Sequence, residues 1–104
     1  MIRKGNYIEL FVIIADRKKK TSLLEAVARV GGRVVLSEYG KGSANVSAFV
    51  DAFGFAPEEH KVVIFCLLVN TKADALLEIL NNEFQFKEPN TGIAYTVKLE
   101  GLSF

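Results

Sequence analysis

Lys61-Val62-Val63-Ile64-Phe65-Cys66-Leu67-Leu68-Val69 decides how this chain folds. Its single charge sits at the first position, and Val, Ile, Leu and Phe fill most of the rest, so the stretch reads as a β-strand. It is apolar on both faces, so each face needs cover. Downstream, residues 71 to about 83 read as a helix. Thr71 is its expected cap, Asp74 lies in its first turn, and Ala73, Leu76, Leu77 and Leu80 make its buried face, with Ile79 beside it. Residues 84–90 form a loop and residues 92–99 a last strand.

Upstream, residues 7–15 are rich in β-branched and aromatic side chains and read as a first strand. Residues 22–30 read as a helix. Ser22 and Glu25 form a capping box. Leu23, Ala26, Val27 and Val30 recur at i, i+3, i+4 and i+7 as one apolar face. Gly31-Gly32 ends the helix, since glycine accepts the left-handed conformation found there. Residues 33–39 are a second strand, and residues 40–60 a long connection.

The order is β-α-β-β-α-β. Each β-α-β half needs a right-handed crossover that lays its helix on one sheet face. Two such halves give an α+β fold of the ferredoxin-like type, a four-stranded antiparallel sheet with both helices on one face. Residues 1–104 make one such domain. The face without helices should alternate with polar residues, yet the first strand offers Ile8, Leu10, Val12 and Ile14 on one side and Tyr7, Glu9, Phe11 and Ile13 on the other. A bare face of that kind exceeds what a soluble monomer exposes. Homo-oligomerisation through it is the economical solution; folding of the 40–60 connection over it is the alternative.

The 13 basic and 12 acidic residues balance, which argues against a nucleic-acid partner. Arg17-Lys18-Lys19-Lys20 reads as a solvated turn. The one cysteine, Cys66, allows no internal disulfide and reads as a small core residue. No leader-like or membrane-spanning run is present, so no membrane insertion is expected and a reducing cytoplasm is the expected location.

The 40–60 connection is too long for a simple hairpin. Within it Val46, Phe49, Val50 and Phe53 fall at helical spacing, with Ser43 or Asn45 as the cap. Such a segment docks either on its own domain or in a partner's groove. His60 is the sole histidine, and one His with one Cys does not make a metal site. Glu58-Glu59 reads as a solvated turn, and neither a P-loop nor a G-x-G-x-x-G pattern occurs. The chain is therefore not expected to be an enzyme. An RNA-binding module shares the element order but needs a basic-aromatic third strand, which residues 62–69 do not supply.

Three segments together resemble the P-II nitrogen-regulatory proteins: Leu24-Glu25-Ala26-Val27-Ala28-Arg29-Val30-Gly31, Ser37-Glu38-Tyr39-Gly40-Lys41-Gly42, and Asn90-Thr91-Gly92-Ile93-Ala94-Tyr95-Thr96-Val97. The segment Phe53-Gly54-Phe55-Ala56-Pro57-Glu58-Glu59-His60-Lys61 is similar to the branch with a shortened middle loop. The resemblance implies a homotrimer, adenine-nucleotide clefts between subunits, and a loop after strand two that docks on a transporter or metabolic enzyme. It implies ATP, ADP or AMP as effector and no covalent cofactor. By position it implies phosphate contacts at Gly40, Lys41 and Gly42 and at Asn90, Thr91 and Gly92, and an effector contact at Lys61. Val46, Phe49, Val50 and Phe53 fall in the docking loop.

Glycines let backbone amides approach an anion closely; both glycine segments read equally as ordinary turns. The chain departs from the family in three places. Only one glycine lies in residues 86–92, Ile93 stands where the family has a lysine, and the basic residues that follow strand four in the family have no counterpart before Phe104. These departures leave a less charged nucleotide, a different small ligand or no ligand as alternatives to ATP. Residues 40–60 contain no tyrosine to modify. The competing assignments are a small-molecule or ion-binding trimer of the ACT or CutA type, and a small ferredoxin-like enzyme with a cavity between sheet and helices.

Overall fold

The computed structural model describes residues 6–39, 61–89 and 91–99. Their elements run β1 (Ile8–Asp16), α1 (Lys20–Arg29), β2 (Arg33–Tyr39), β3 (Lys61–Val69), α2 (Asn70–Glu83) and β4 (Gly92–Lys98), with a 3₁₀ turn at Arg17–Lys19 leading into α1. The strands form one sheet in the order β2-β3-β1-β4, every neighbour antiparallel. This is the ferredoxin-like arrangement expected from the sequence. The segment 40–60, with the predicted helix carrying Val46, Phe49, Val50 and Phe53, lies outside the described residues.

Both helix starts differ from the sequence expectation. The first helix does not begin at Ser22. Asp16 ends β1 with an extended backbone, and its carboxylate accepts from the Lys18 amide at 2.9 Å. That cap starts the 3₁₀ turn, which runs directly into α1, so Ser22 falls inside the helix and its box with Glu25 does not set the start. The second helix begins at Asn70, and no side chain caps it, so Thr71 is not the cap. Asn70 is instead fully buried and clasps β1. Its backbone N–H donates to Tyr7 O at 2.9 Å, and its side-chain Oδ1 accepts from the Tyr7 backbone N–H at 3.2 Å. A buried side-chain amide needs such partners, and here it ties the start of the central strand to the first turn of α2.

The end of α1 follows the sequence. Gly31 takes φ +76°, and the amides of Gly31 and Gly32 close onto Ala28 O at 3.0 Å and Val27 O at 2.9 Å. Gly32 is glycine for a different reason. A Cβ there would stand 2.5 Å from Leu68 Cδ2 and 2.7 Å from Val27 Cγ1, so α1 and β3 approach too closely to admit one.

The helix-bearing face holds the main core. Phe11, Ile13 and Ala15 of β1 and Val62, Ile64, Cys66 and Leu68 of β3 meet Leu23, Ala26 and Val27 of α1, Val30 at its end, and Ala73, Leu76 and Leu80 of α2. Each fully buried aliphatic or aromatic side chain contributes about 1.5–3 kcal/mol. Cys66 is one of this set. Its thiol donates to Phe11 O at 3.6 Å, and burial pushes its pKa up to about 12, so it stays protonated and unreactive at neutral pH. Glu9 also lies on this face and is buried, standing opposite Leu68 on one side and Lys98 on the other.

The opposite face carries a second apolar cluster. Val12, Ile14 and Val63 are fully buried, with Leu10, Phe65, Ile93 and Tyr95 packed against them. Val12 stands in register between Phe65 and Tyr95, and Ile14 between Val63 and Ile93. The centre of this face is therefore closed within one chain, not bare as the strand pattern implies. Apolar surface remains at the rim, where Val97 is 45% exposed.

On the surface, Arg29 at the end of α1 forks onto Glu83 at the end of α2, at 2.8 and 3.2 Å. The hydrogen bond from Arg29 holds the Glu83 carboxyl below its ordinary value of 4.5. A folded-state value below the unfolded one stabilises fully above that ordinary value, and the contribution fades as pH falls through the lower one. Glu83→Gln should therefore melt below wild type at pH 7, with the gap closing in acid; thermal unfolding across that range reads it.

Candidate functional site

Sheet register gathers the sequence-predicted contacts that the structure describes. Lys61, the first residue of β3, stands opposite Asp16, the last of β1, and Ala15 pairs with Val62 on one side and Gly92 on the other. Tyr39, the last residue of β2, pairs with Val62. One end of the sheet thus holds the exit of β2, the start of β3, the end of β1 and the start of β4. Adjacent strands lie about 4.8 Å apart, so the Lys61 and Gly92 backbones flank the end of β1 across roughly 10 Å. Lys61 is half-buried. Gly40, Lys41, Gly42 and Asn90 lie outside the described residues, but the strand ends next to them converge here.

The turn leading into β4 is built by Thr91 and Phe86. The Thr91 hydroxyl lies 2.7 Å from Gln85 O and 2.9 Å from Glu88 O, and so staples its own loop. The Glu88 amide closes onto Gln85 O at 2.8 Å. Gln85 takes φ +61°, an uncommon conformation for a residue with a Cβ, and the Thr91 staple holds it there. Phe86 stacks edge-on against Phe84, with ring centres 6.4 Å apart, and its ring covers Gly92. Any Cβ at Gly92 would stand 2.5 to 2.8 Å from that ring. Thr91 and Gly92 therefore have structural work in shaping the turn. What they offer a ligand is a preformed backbone, since the Thr91 hydroxyl is committed inward.

A second feature carries no signal in the sequence. A cavity of about 480 Å³ lies at the opposite end of the sheet, lined by Ile8, Val30, Gly31, Arg33, Leu67, Leu68, Val69 and Lys72. Among the described residues, no group of three or more His, Cys, Asp and Glu side chains is placed to hold a metal. No helix among them is long and apolar enough to cross a membrane.

The architecture matches solved PII-like structures along nearly the whole chain. A PII-like signalling protein of Thermus thermophilus superposes with a TM-score of 0.64 at 18% identity, covering 92% of this chain and 90% of that one. CPII, a nitrogen regulatory PII-like protein of Thiomonas intermedia, superposes in its complex with ADP, AMP and bicarbonate at 0.57 and 19% identity, covering 96% of this chain and 100% of that one. In complex with ADP, AMP and acetate it gives 0.55 and 18%, covering 94% of each chain. No family model matches the sequence, and no curated protein does. The fold is that of the PII-like signalling proteins.

Proposed function

We propose that this protein is a PII-like signal-transduction regulator, which binds an adenine nucleotide at a cleft between subunits and acts on a partner protein rather than on a substrate. The convergence of Lys61, Gly92 and the exit of β2 at one sheet end supports this reading most directly. A lysine and two turns rich in backbone amides are the groups that hold phosphate oxygens. The same fold in CPII is solved with ADP and AMP bound.

The assembly in this reading is a homotrimer joined through the helix-free face. Leu10, Phe65, Ile93 and Tyr95 border that face's buried centre, and Val97 extends it outward. The target, a transporter or a metabolic enzyme, would be met by the 40–60 loop with Val46, Phe49, Val50 and Phe53, and phosphates would meet Gly40, Lys41, Gly42 and the backbone of Asn90 to Gly92. The expected location is the cytoplasm.

Calorimetric titration with AMP, ADP and ATP tests the ligand, and sedimentation tests the assembly. Lys61→Ala is expected to weaken nucleotide binding about tenfold, the effect of one charge-assisted contact, with melting temperature little changed. Unaltered affinity in that variant would remove Lys61 from the site. No heat with any adenine nucleotide, together with sedimentation as a monomer, would overturn the reading.

A further inference from the structure

We infer that the cavity at the far end of the sheet is a second ligand site, which takes a small organic anion with an apolar body. The inference goes beyond the nucleotide reading and does not rest on it.

The walls are aliphatic. Ile8 of β1, Leu67, Leu68 and Val69 of β3, and Val30 at the end of α1 supply them, and Gly31 adds no side chain. Two charged residues complete the described lining, and both are cations, Arg33 at the start of β2 and Lys72 in the first turn of α2. Among the described residues, no acid lines the cavity. Both cations are exposed, and among the described residues neither side chain makes an ion pair or a hydrogen bond. Arg29, by contrast, is spent on Glu83.

The register explains how Arg33 comes to be here. Arg33 pairs with Leu67 and Val34 with Cys66, but the next pair is Leu36 with Phe65, so β2 carries a bulge. Bulges on edge strands re-aim side chains. This one lets Arg33 stand opposite Leu67 while the rest of β2 stays paired through Tyr39.

A concave apolar wall with a few polar groups at its edge is the usual form of a small-molecule site, and about 480 Å³ lies within the usual range. The apolar wall selects the body, a ring or a short hydrocarbon chain. The guanidinium fork and the ammonium select the head, a carboxylate or a phosphate ester. A wholly polar anion would leave the walls unfilled, and a neutral hydrocarbon would leave the cations unused.

The test uses the full chain and three probes of similar body: 4-phenylbutyrate, phenyl phosphate and the neutral 4-phenylbutyramide. Titration calorimetry should show at least one anion binding about tenfold or more tightly than the amide. Methyl NMR should place its shifts at Ile8, Val30, Leu67 and Leu68. The double variant Arg33→Gln/Lys72→Gln, whose sites are exposed and so should fold normally, should reduce the anion to the affinity of the amide. A preference for carboxylate or for phosphate identifies the head group. Equal binding of amide and anions, unchanged binding in the double variant, or methyl shifts confined to other residues would each overturn the inference. AMP titrated into the same variant separates the two sites. Retained AMP binding supports a distinct site, and loss of AMP together with the anion overturns it. Wild-type protein that binds the anion but no nucleotide would sink the nucleotide proposal and leave this one standing.

Discussion

Replacing Ile13 with alanine is expected to lower stability by about 2–5 kcal/mol, the range for truncating a large buried aliphatic residue. Ile13 is fully buried in the middle of β1, paired with Ile64 on one side and Ala94 on the other. It faces the core that both helices cover. Ala94 opposite is already small, so the neighbouring strand has little side chain with which to fill the space. Sheet pairing on both sides holds the backbone, which limits collapse into the cavity. For a domain of this size each kcal/mol moves the melting temperature by roughly 4–8 °C, so the midpoint should fall by at least about 8 °C. Ile13→Val, which removes one methylene, should cost only about 0.5–1.5 kcal/mol. Equal losses for both variants would show that the site relaxes freely, contrary to the packing described.

The second large effect is expected at Gly92, where alanine should cost about 1–3 kcal/mol. Propensity alone predicts the reverse, because glycine is a poor strand residue. The Phe86 ring decides the sign. A Cβ at position 92 would lie 2.5 Å from its Cζ, so the ring must leave its place beside Phe84 and the main core. The check is a double-mutant cycle. Phe86→Ala removes the obstacle, and in that background Gly92→Ala should be nearly neutral. Additive losses would mean that the ring is not the reason for the glycine.

The fold was legible because its signals are local. Alternating and continuous apolar runs marked four strands, and the i, i+3, i+4, i+7 pattern of Leu23, Ala26, Val27 and Val30 marked α1, whose four residues are all buried. Helix starts were not legible. Asp16 is separated from the apolar pattern by four cations, and its cap initiates a 3₁₀ turn first, so the more familiar Ser22–Glu25 spacing drew the boundary too late. Asn70 was missed because its partner, Tyr7, lies 63 positions away. The site divides in the same way. Lys61 and Gly92 were named from a resemblance, but only the pairing of Asp16 and Ala15 with the flanking strands β3 and β4 shows that they share one end. The cavity had no local mark, since Arg33 and Lys72 become neighbours only through β3 and the end of α1.

Strand β3 begins at Lys61 and ends at Val69, so it reaches from the convergent sheet end to the cavity wall. Nine extended residues span about 26 Å, a distance at which two bound molecules never touch. This doubly paired ribbon is one direct connection between the two ends, and any coupling between their occupants obeys a strict symmetry. If filling the cavity tightens the far end by some factor, filling the far end tightens the cavity by that same factor.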